Sequence, residues 1–202
     1  MSDPDAAQAL GTCRCRVVIT GAAGNVGAMC AQGFAKAGAK LALVDIDRVM
    51  ARRIANDIGA EPYCLDVLSE VSVARFTAQL AEQFGTADLL INAAGRGFVR
   101  TLGMMRVTRA LARTVEDAPL TVVNVGTRDG LRGDRFDYAG STLAFHRLSE
   151  GLGAALGKPN LKIMTIASLE SEEEVEDLVR QICGSQGKRG PEAPTGSPGQ
   201  AA

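Results

Sequence analysis

The chain has 202 residues, 46% hydrophobic and 22% charged, with a formal net charge of −1 and a pI near 5.9. That is the bulk of one ordinary globular domain, and its near-neutrality gives no whole-molecule field to draw in nucleic acid or an anionic membrane. No apolar run reaches membrane-spanning length, and Asp3 and Asp5 stand where a secretory signal would be basic, so the expected compartment is the cytoplasm.

Residues 1–11 read as a disordered arm. Residues 184–202, GSQGKRGPEAPTGSPGQAA, hold eight Gly or Pro among nineteen and no large apolar side chain, so burial cannot offset their ordering entropy. About 172 residues, 12–183, are left as a single domain with room for a sizeable core. Five cysteines (Cys13, Cys15, Cys30, Cys64 and Cys183) at irregular spacings, with one histidine in the chain, read as reduced thiols. No metal is expected, and Cys13 and Cys15 are too closely spaced for the usual zinc hairpin.

Short, nearly continuous apolar runs rich in β-branched residues predict strands at Arg16–Thr20, Lys40–Val44, Ala87–Ile91, Leu120–Val125 and Leu161–Ile166, each buried on both faces. A weaker strand fits Glu61–Leu65. Helical spacing fills the intervals. A small, apolar-faced helix covers Ala28–Ala37, a second turns Val49, Ile54 and Ile58 inward, a third Val73, Phe76, Leu80 and Phe84, and a last spans Glu172–Cys183. Six strands alternating with helices, about 29 residues per unit, imply an α/β fold with a doubly wound parallel sheet.

The first strand runs into Thr20-Gly21-Ala22-Ala23-Gly24-Asn25-Val26-Gly27. Glycines three apart at a strand-to-helix turn let the backbone approach a pyrophosphate, and the helix N-terminus offers free N–H groups and a positive dipole end. Asp45 ends the second strand 18 residues after Gly27, where a carboxylate would accept adenosine ribose hydroxyls and repel a 2′-phosphate. The cofactor so indicated is NAD rather than NADP. The alternative reading of Asp45, which the motif context disfavours, is a solvated strand-end acid or the cap of the following helix.

Thr20-Gly21…Gly27, Asp45, Asp66-Val67 and Asn92-Ala93-Ala94-Gly95 together resemble the short-chain dehydrogenase/reductase family, from Arg16 to about Ile166. The resemblance implies a Rossmann fold with strand order 3-2-1-4-5-6. It implies a cofactor site of Gly21, Gly24, Asn25, Val26, Gly27, Asp45, Ile46, Asp66, Val67, Asn92, Ala93, Ala94, Gly95 and Thr142. In the family the position of Asp66 bonds the adenine amine, Val67 flanks the ring, and Asn92 stabilises the central sheet. Two positions depart from the family pattern: Ala93 replaces an Asn and Asn25 a Gly.

The catalytic half departs further. The family uses a Ser after the fifth strand, a Tyr-x-x-x-Lys pair and an Asn. Tyr138 fits the tyrosine and Thr127 falls at the serine position, but Thr142 stands where Lys belongs, and no Asn occurs between Arg96 and Asp117. The lysine matters because a phenol with a reference pKa near 10 must exchange a proton at neutral pH. One cation about 4 Å away at an effective dielectric of about 20 supplies roughly 4 kcal/mol, about three pKa units. A threonine hydroxyl can bond the nicotinamide ribose but supplies no such field. His146, eight residues beyond Tyr138, lies about 12 Å away along a helix, too far to substitute.

Residues 96–135 carry eight arginines against four acids. Around the mouth of the site they would suit an anionic small-molecule substrate; solvated or intersubunit-paired helix faces explain them equally. Glu170 to Asp177, six acids in eight residues, suits a helix start. The family's lid and final strand have no counterpart after Ile166, so the resemblance implies a shortened, divergent member. Three functions remain open: an NAD-dependent oxidoreductase with a rearranged, impaired proton relay, a silent NAD-binding sensor or partner subunit, and a non-redox cyclase or lyase. Small residues at Gly140, Ala144, Gly151 and Gly153, with Leu143, Leu148 and Leu152, suit a homo-oligomer or a complex with a complete relative.

Overall fold

Strands and helices alternate without exception along the described chain. A computed structural model describes residues 13–126 and 136–186, with 136–143 and 185–186 described through the backbone alone. The order is β1 (Arg16–Thr20), α1 (Asn25–Lys36), β2 (Lys40–Asp45), α2 (Arg48–Ile58), β3 (Glu61–Cys64), α3 (Glu70–Gln83), β4 (Leu89–Asn92), α4 (Gly97–Thr114), β5 (Leu120–Val125), α5 (Phe136–Leu156), β6 (Leu161–Ile166) and α6 (Glu172–Gln186). All six strands are parallel in one sheet, ordered β3-β2-β1-β4-β5-β6, the doubly wound arrangement that the alternation predicts.

The continuous apolar runs follow from burial of both sheet faces. Val17 and Ile19 of β1 join Leu41, Leu43, Leu89 and Ile91 in a core closed by Phe34 of α1 and Val175 and Val179 of α6. Val18, between them, faces the other way, into a core with Ala42, Val44, Leu90 and Val122, closed by Phe76 and Leu80 of α3 and Val107 and Leu111 of α4. Met104, Phe145 and Leu152 seal α4 against α5.

Several predicted details are corrected. Val49 is 82% exposed and belongs to no core. Asp47 caps α2, so Val49 falls in the exposed first turn, while Ala51 and Ala55 carry the buried face. β6 has one neighbour in the sheet, and most of its residues are only partly buried. α1 starts at Asn25, three residues before the predicted position, and α6 runs on to Gln186. No helix among the described residues is long and apolar enough to cross a membrane.

Candidate functional site

In a sheet of this order the connections from β1 and from β4 leave in opposite directions, and the crevice between them opens beyond the carboxyl ends of the strands. A cleft of about 770 Å³ lies there. Gly21, Ala23, Gly24, Asn25, Val26 and Gly27 line one side, and Ala93, Gly95, Arg96, Arg100 and Gly126 continue its wall.

Two glycines of the loop have no substitute. Gly21 has φ +71°, and a Cβ there would lie 2.7 Å from the backbone N and Cα of Ala94. At Gly27 a Cβ would lie 2.1 Å from the Gly21 carbonyl oxygen. Gly24 is less constrained, its Cβ meeting that oxygen at 3.3 Å. This packing brings the β1–α1 turn, the head of α1 and the loop after β4 together, and leaves backbone rather than side chains facing the cleft.

The helix starts here differ from those elsewhere. At the head of α2, Asp47 accepts from the N–H groups of Val49 and Met50, and at α3 Ser69 accepts from Ser72. α1, capped by Gly24, and α4, capped by Arg96, have no side-chain cap bond, and both of these starts line the cleft. Their first-turn N–H groups and dipole ends suit an anionic ligand.

Asp45 sits at the carboxyl end of β2 on the cleft wall. Its Oδ2 accepts from Ala23 N–H at 2.9 Å and its Oδ1 from Asp47 N–H at 3.0 Å, so the carboxylate ties the glycine loop to the end of β2. Each oxygen keeps acceptor capacity. Beside it a hollow of about 200 Å³ is lined by Val44, Ile46, Leu65, Val67, Leu68 and Val99, with Asp45 and Asp66 at its edge; it shares Gly21, Asp45 and Gly95 with the main cleft and includes Ala94. Asp66 Oδ1 accepts from Leu68 N–H at 2.9 Å and orients that loop.

Asn92 does not reach into the cleft. It is 3% exposed, and its Nδ2 donates to Thr108 Oγ1 at 3.0 Å and Asn124 Oδ1 at 2.8 Å. Asn124 Nδ2 donates to Ser149 Oγ at 2.7 Å, which bonds Thr165 Oγ1. Thr20, Asn92, Asn124 and Thr165 stand in register on β1, β4, β5 and β6, so a buried polar ladder crosses the sheet just beneath the cleft. Sequence reasoning singled out Asn92 alone. Its partners come from separate segments, and only alternation-breaking polar residues near strand ends hinted at them.

Of the arginines expected around the mouth, Arg96 and Arg100 line the cleft. Arg106, Arg109 and Arg113 instead line a groove between α3 and α4, where Arg106 donates to the Leu68 carbonyl and pairs with Glu70 at 3.8 Å. Arg128, Arg132 and Arg135 lie outside the described residues, as does Thr127. Tyr138 and Thr142 lie on α5, with their side chains outside the described set. Ser168, Leu169 and Glu170, which sequence reasoning did not assign, complete the cleft beyond β6. A Cβ on Gly126 would lie 2.6 Å from the Ala167 carbonyl, which shows how closely the exits of β5 and β6 approach. The available signal was positional, since every strand end of such a sheet borders the crevice.

Comparison with known proteins adds the following. The family model described as enoyl-(acyl carrier protein) reductase matches residues 21–132. Sorbitol dehydrogenase of Cereibacter sphaeroides is 27% identical over 173 residues, 74% of this chain and 68% of that one. Short-chain dehydrogenase reductase 5 of Arabidopsis thaliana is 27% identical over 181 residues, 86% of this chain and 65% of that one. The matches thus span about two thirds of these relatives' length. The crystal structure of NAD+-bound xylitol dehydrogenase is similar with a TM-score of 0.68 and 26% identity, covering 75% of this chain and 68% of that one.

Proposed function

Because the chain belongs to the short-chain dehydrogenase/reductase family, we propose that it is an NAD-dependent oxidoreductase with a rearranged, impaired proton relay, passing hydride between the nicotinamide and a carbonyl or alcohol. The observation that carries this reading is the cradle at Gly21 and Gly27, where any side chain would collide with backbone and where two helix starts offer uncapped N–H groups. That is what close approach of a pyrophosphate requires. Gly21 through Gly27 would hold the pyrophosphate, the free lone pairs of Asp45 the adenosine ribose, and the Ile46–Val67 hollow the adenine, with Asp66 at its edge. A second phosphate on the ribose would face the Asp45 carboxylate, which disfavours NADP.

When bound, the cofactor supplies the hydride acceptor or donor; the chain must supply position and a proton. Tyr138 would exchange that proton with the substrate oxygen, Thr127 would polarise the carbonyl, and Thr142 would bond the nicotinamide ribose. Without the lysine, tyrosinate is scarce near neutrality. Alcohol oxidation by this chain should therefore climb as pH approaches the reference phenol value near 10. Arg96 and Arg100 give the cleft its described cations and favour an anionic substrate.

Thr142 in place of lysine favours a second reading, a silent NAD-binding sensor or partner subunit. One set of measurements separates the two. Both require NAD-dependent thermal stabilisation that Gly21→Val abolishes; no shift at millimolar NAD overturns both. Turnover on a panel of alcohols and carbonyls, lost in Tyr138→Phe, establishes the oxidoreductase. Silence in the wild type with activity gained in Thr142→Lys establishes a binder whose scaffold is intact and whose relay alone is gone.

A further inference from the structure

The amino end of β1, remote from the cleft, holds a cluster that the proposed chemistry does not use. Cys13 and Cys15 lie in the extended segment leading into β1, both facing the core, with exposed Arg14 between them. Their backbone is fixed on both sides: Cys13 N–H donates to the Ala37 carbonyl at 2.8 Å, and Cys15 O accepts from Lys40 N–H at 2.9 Å. Cys183, near the end of α6, brings a third thiol to the same point. The three sulfurs lie within 4.8 Å of one another, with Cys13 Sγ and Cys15 Sγ 2.9 Å apart. Cys13 and Cys15 are each 1% exposed and Cys183 is 6% exposed. Cys30 lies in the same core but outside the trio, and Cys64 is exposed.

We propose that Cys13, Cys15 and Cys183 form a three-sulfur binding site for a soft monovalent metal ion, cuprous copper. Three sulfurs about 2.3 Å from a central ion in a trigonal arrangement lie ~4 Å from one another; the trio falls within 4.8 Å, and Cys13 Sγ and Cys15 Sγ, 2.9 Å apart, would part by ~1 Å through side-chain rotation to admit the ion. The donor set is all sulfur. Among the described residues no carboxylate or imidazole joins it, which disfavours the hard ions that seek oxygen. Three buried donors also suit cuprous copper better than zinc, whose structural sites take four ligands.

On binding, metal–sulfur bonds form and any displaced thiol protons pass to solvent, with no change of oxidation state. The ion would tie the entry to β1 to the last helix, and so close nearly the whole folded chain into one loop.

The test is an anaerobic titration of the reduced full-length chain with cuprous ion, supplied as its weak acetonitrile complex, and in parallel with zinc. We expect near-ultraviolet thiolate-to-copper absorbance that saturates at one ion per chain, and X-ray absorption showing sulfur neighbours at about 2.3 Å. That absorbance should be lost in Cys13→Ser and Cys183→Ser and retained in Cys30→Ser and Cys64→Ser. Cys183→Ala, with circular dichroism to confirm folding, keeps the helix face apolar. Should the core variants unfold, X-ray absorption of the wild type gives the answer without them: three sulfur neighbours and no oxygen or nitrogen are expected, and a two-sulfur or mixed shell would overturn the assignment. Absence of stoichiometric binding, binding that follows Cys64, or zinc displacing copper in direct competition would each overturn the assignment.

Discussion

Gly24 and Gly27 look alike in the motif, but their surroundings differ, and so should their substitution. A Cβ at Gly27 would sit 2.1 Å from a carbonyl oxygen that the loop cannot move without losing its turn, whereas at Gly24 the same atom is met at 3.3 Å. Gly27→Ala should therefore abolish NAD-dependent stabilisation, and Gly24→Ala should weaken it by less than about tenfold, roughly 1.4 kcal/mol; calorimetric titration of both variants checks the contrast. Asp45 adds a second test. Its carboxylate both holds Ala23 N–H and faces the expected ribose, so Asp45→Ala should weaken NAD binding while narrowing its advantage over NADP, read from the two dissociation constants. The glycine spacing and the acid at the end of β2 were legible because motif and register fix them together. Which glycine is indispensable was not, since that depends on which backbone atoms the loop after β4 brings near.

At the level of elements, legibility followed the apolar runs rather than burial. β1, β5 and β6 have the predicted bounds, although β6 is a mostly half-buried edge strand, whereas the fully buried β4 runs Leu89–Asn92 instead of Ala87–Ile91 because its ladder to β1 extends to the polar Asn92. The start of α1 was missed because its cap is a glycine with no side-chain signal. α6 shows the opposite case: Ser171 Oγ accepts from Glu174 N–H at 3.2 Å, and Glu174 reaches back to accept from Glu170 N–H at 2.7 Å. That explains part of the acidic run as capping. Ser171→Ala should cost about 1 kcal/mol, seen as a lower urea midpoint with an unchanged slope. The polar ladder was the least legible part, because Asn124, Ser149 and Thr165 become meaningful only once β5, α5 and β6 are assembled. Replacing Asn124 with leucine leaves the Asn92 amide and the Ser149 hydroxyl each short of a partner. The expected loss is about 2 kcal/mol by the same urea measurement, with a cost near zero showing that the ladder is slack.

For the whole molecule, the question is whether cofactor, sheet and both helical layers respond as one. The cleft draws on the ends of β1, β2, β4 and β5 and on the exit of β6, so a ligand bound there touches segments from nearly the full described length. The two cores meet through the sheet rather than through a linker, since alternate residues of the same strands supply both. We therefore expect the 12–183 domain to unfold as a single cooperative unit, with the stabilisation by ligand spread over all of it. At a hundredfold excess of NAD over its dissociation constant the gain is about 2.7 kcal/mol, which for a chain of this size raises the unfolding midpoint by about 5–10 °C. Differential scanning calorimetry should show one transition that moves as a whole, with each further tenfold of NAD adding about 1.4 kcal/mol. Two transitions, of which NAD moves only one, would mean that the β5–α5–β6 half folds apart from the half that bears the glycine loop, and the single-domain assignment would fail.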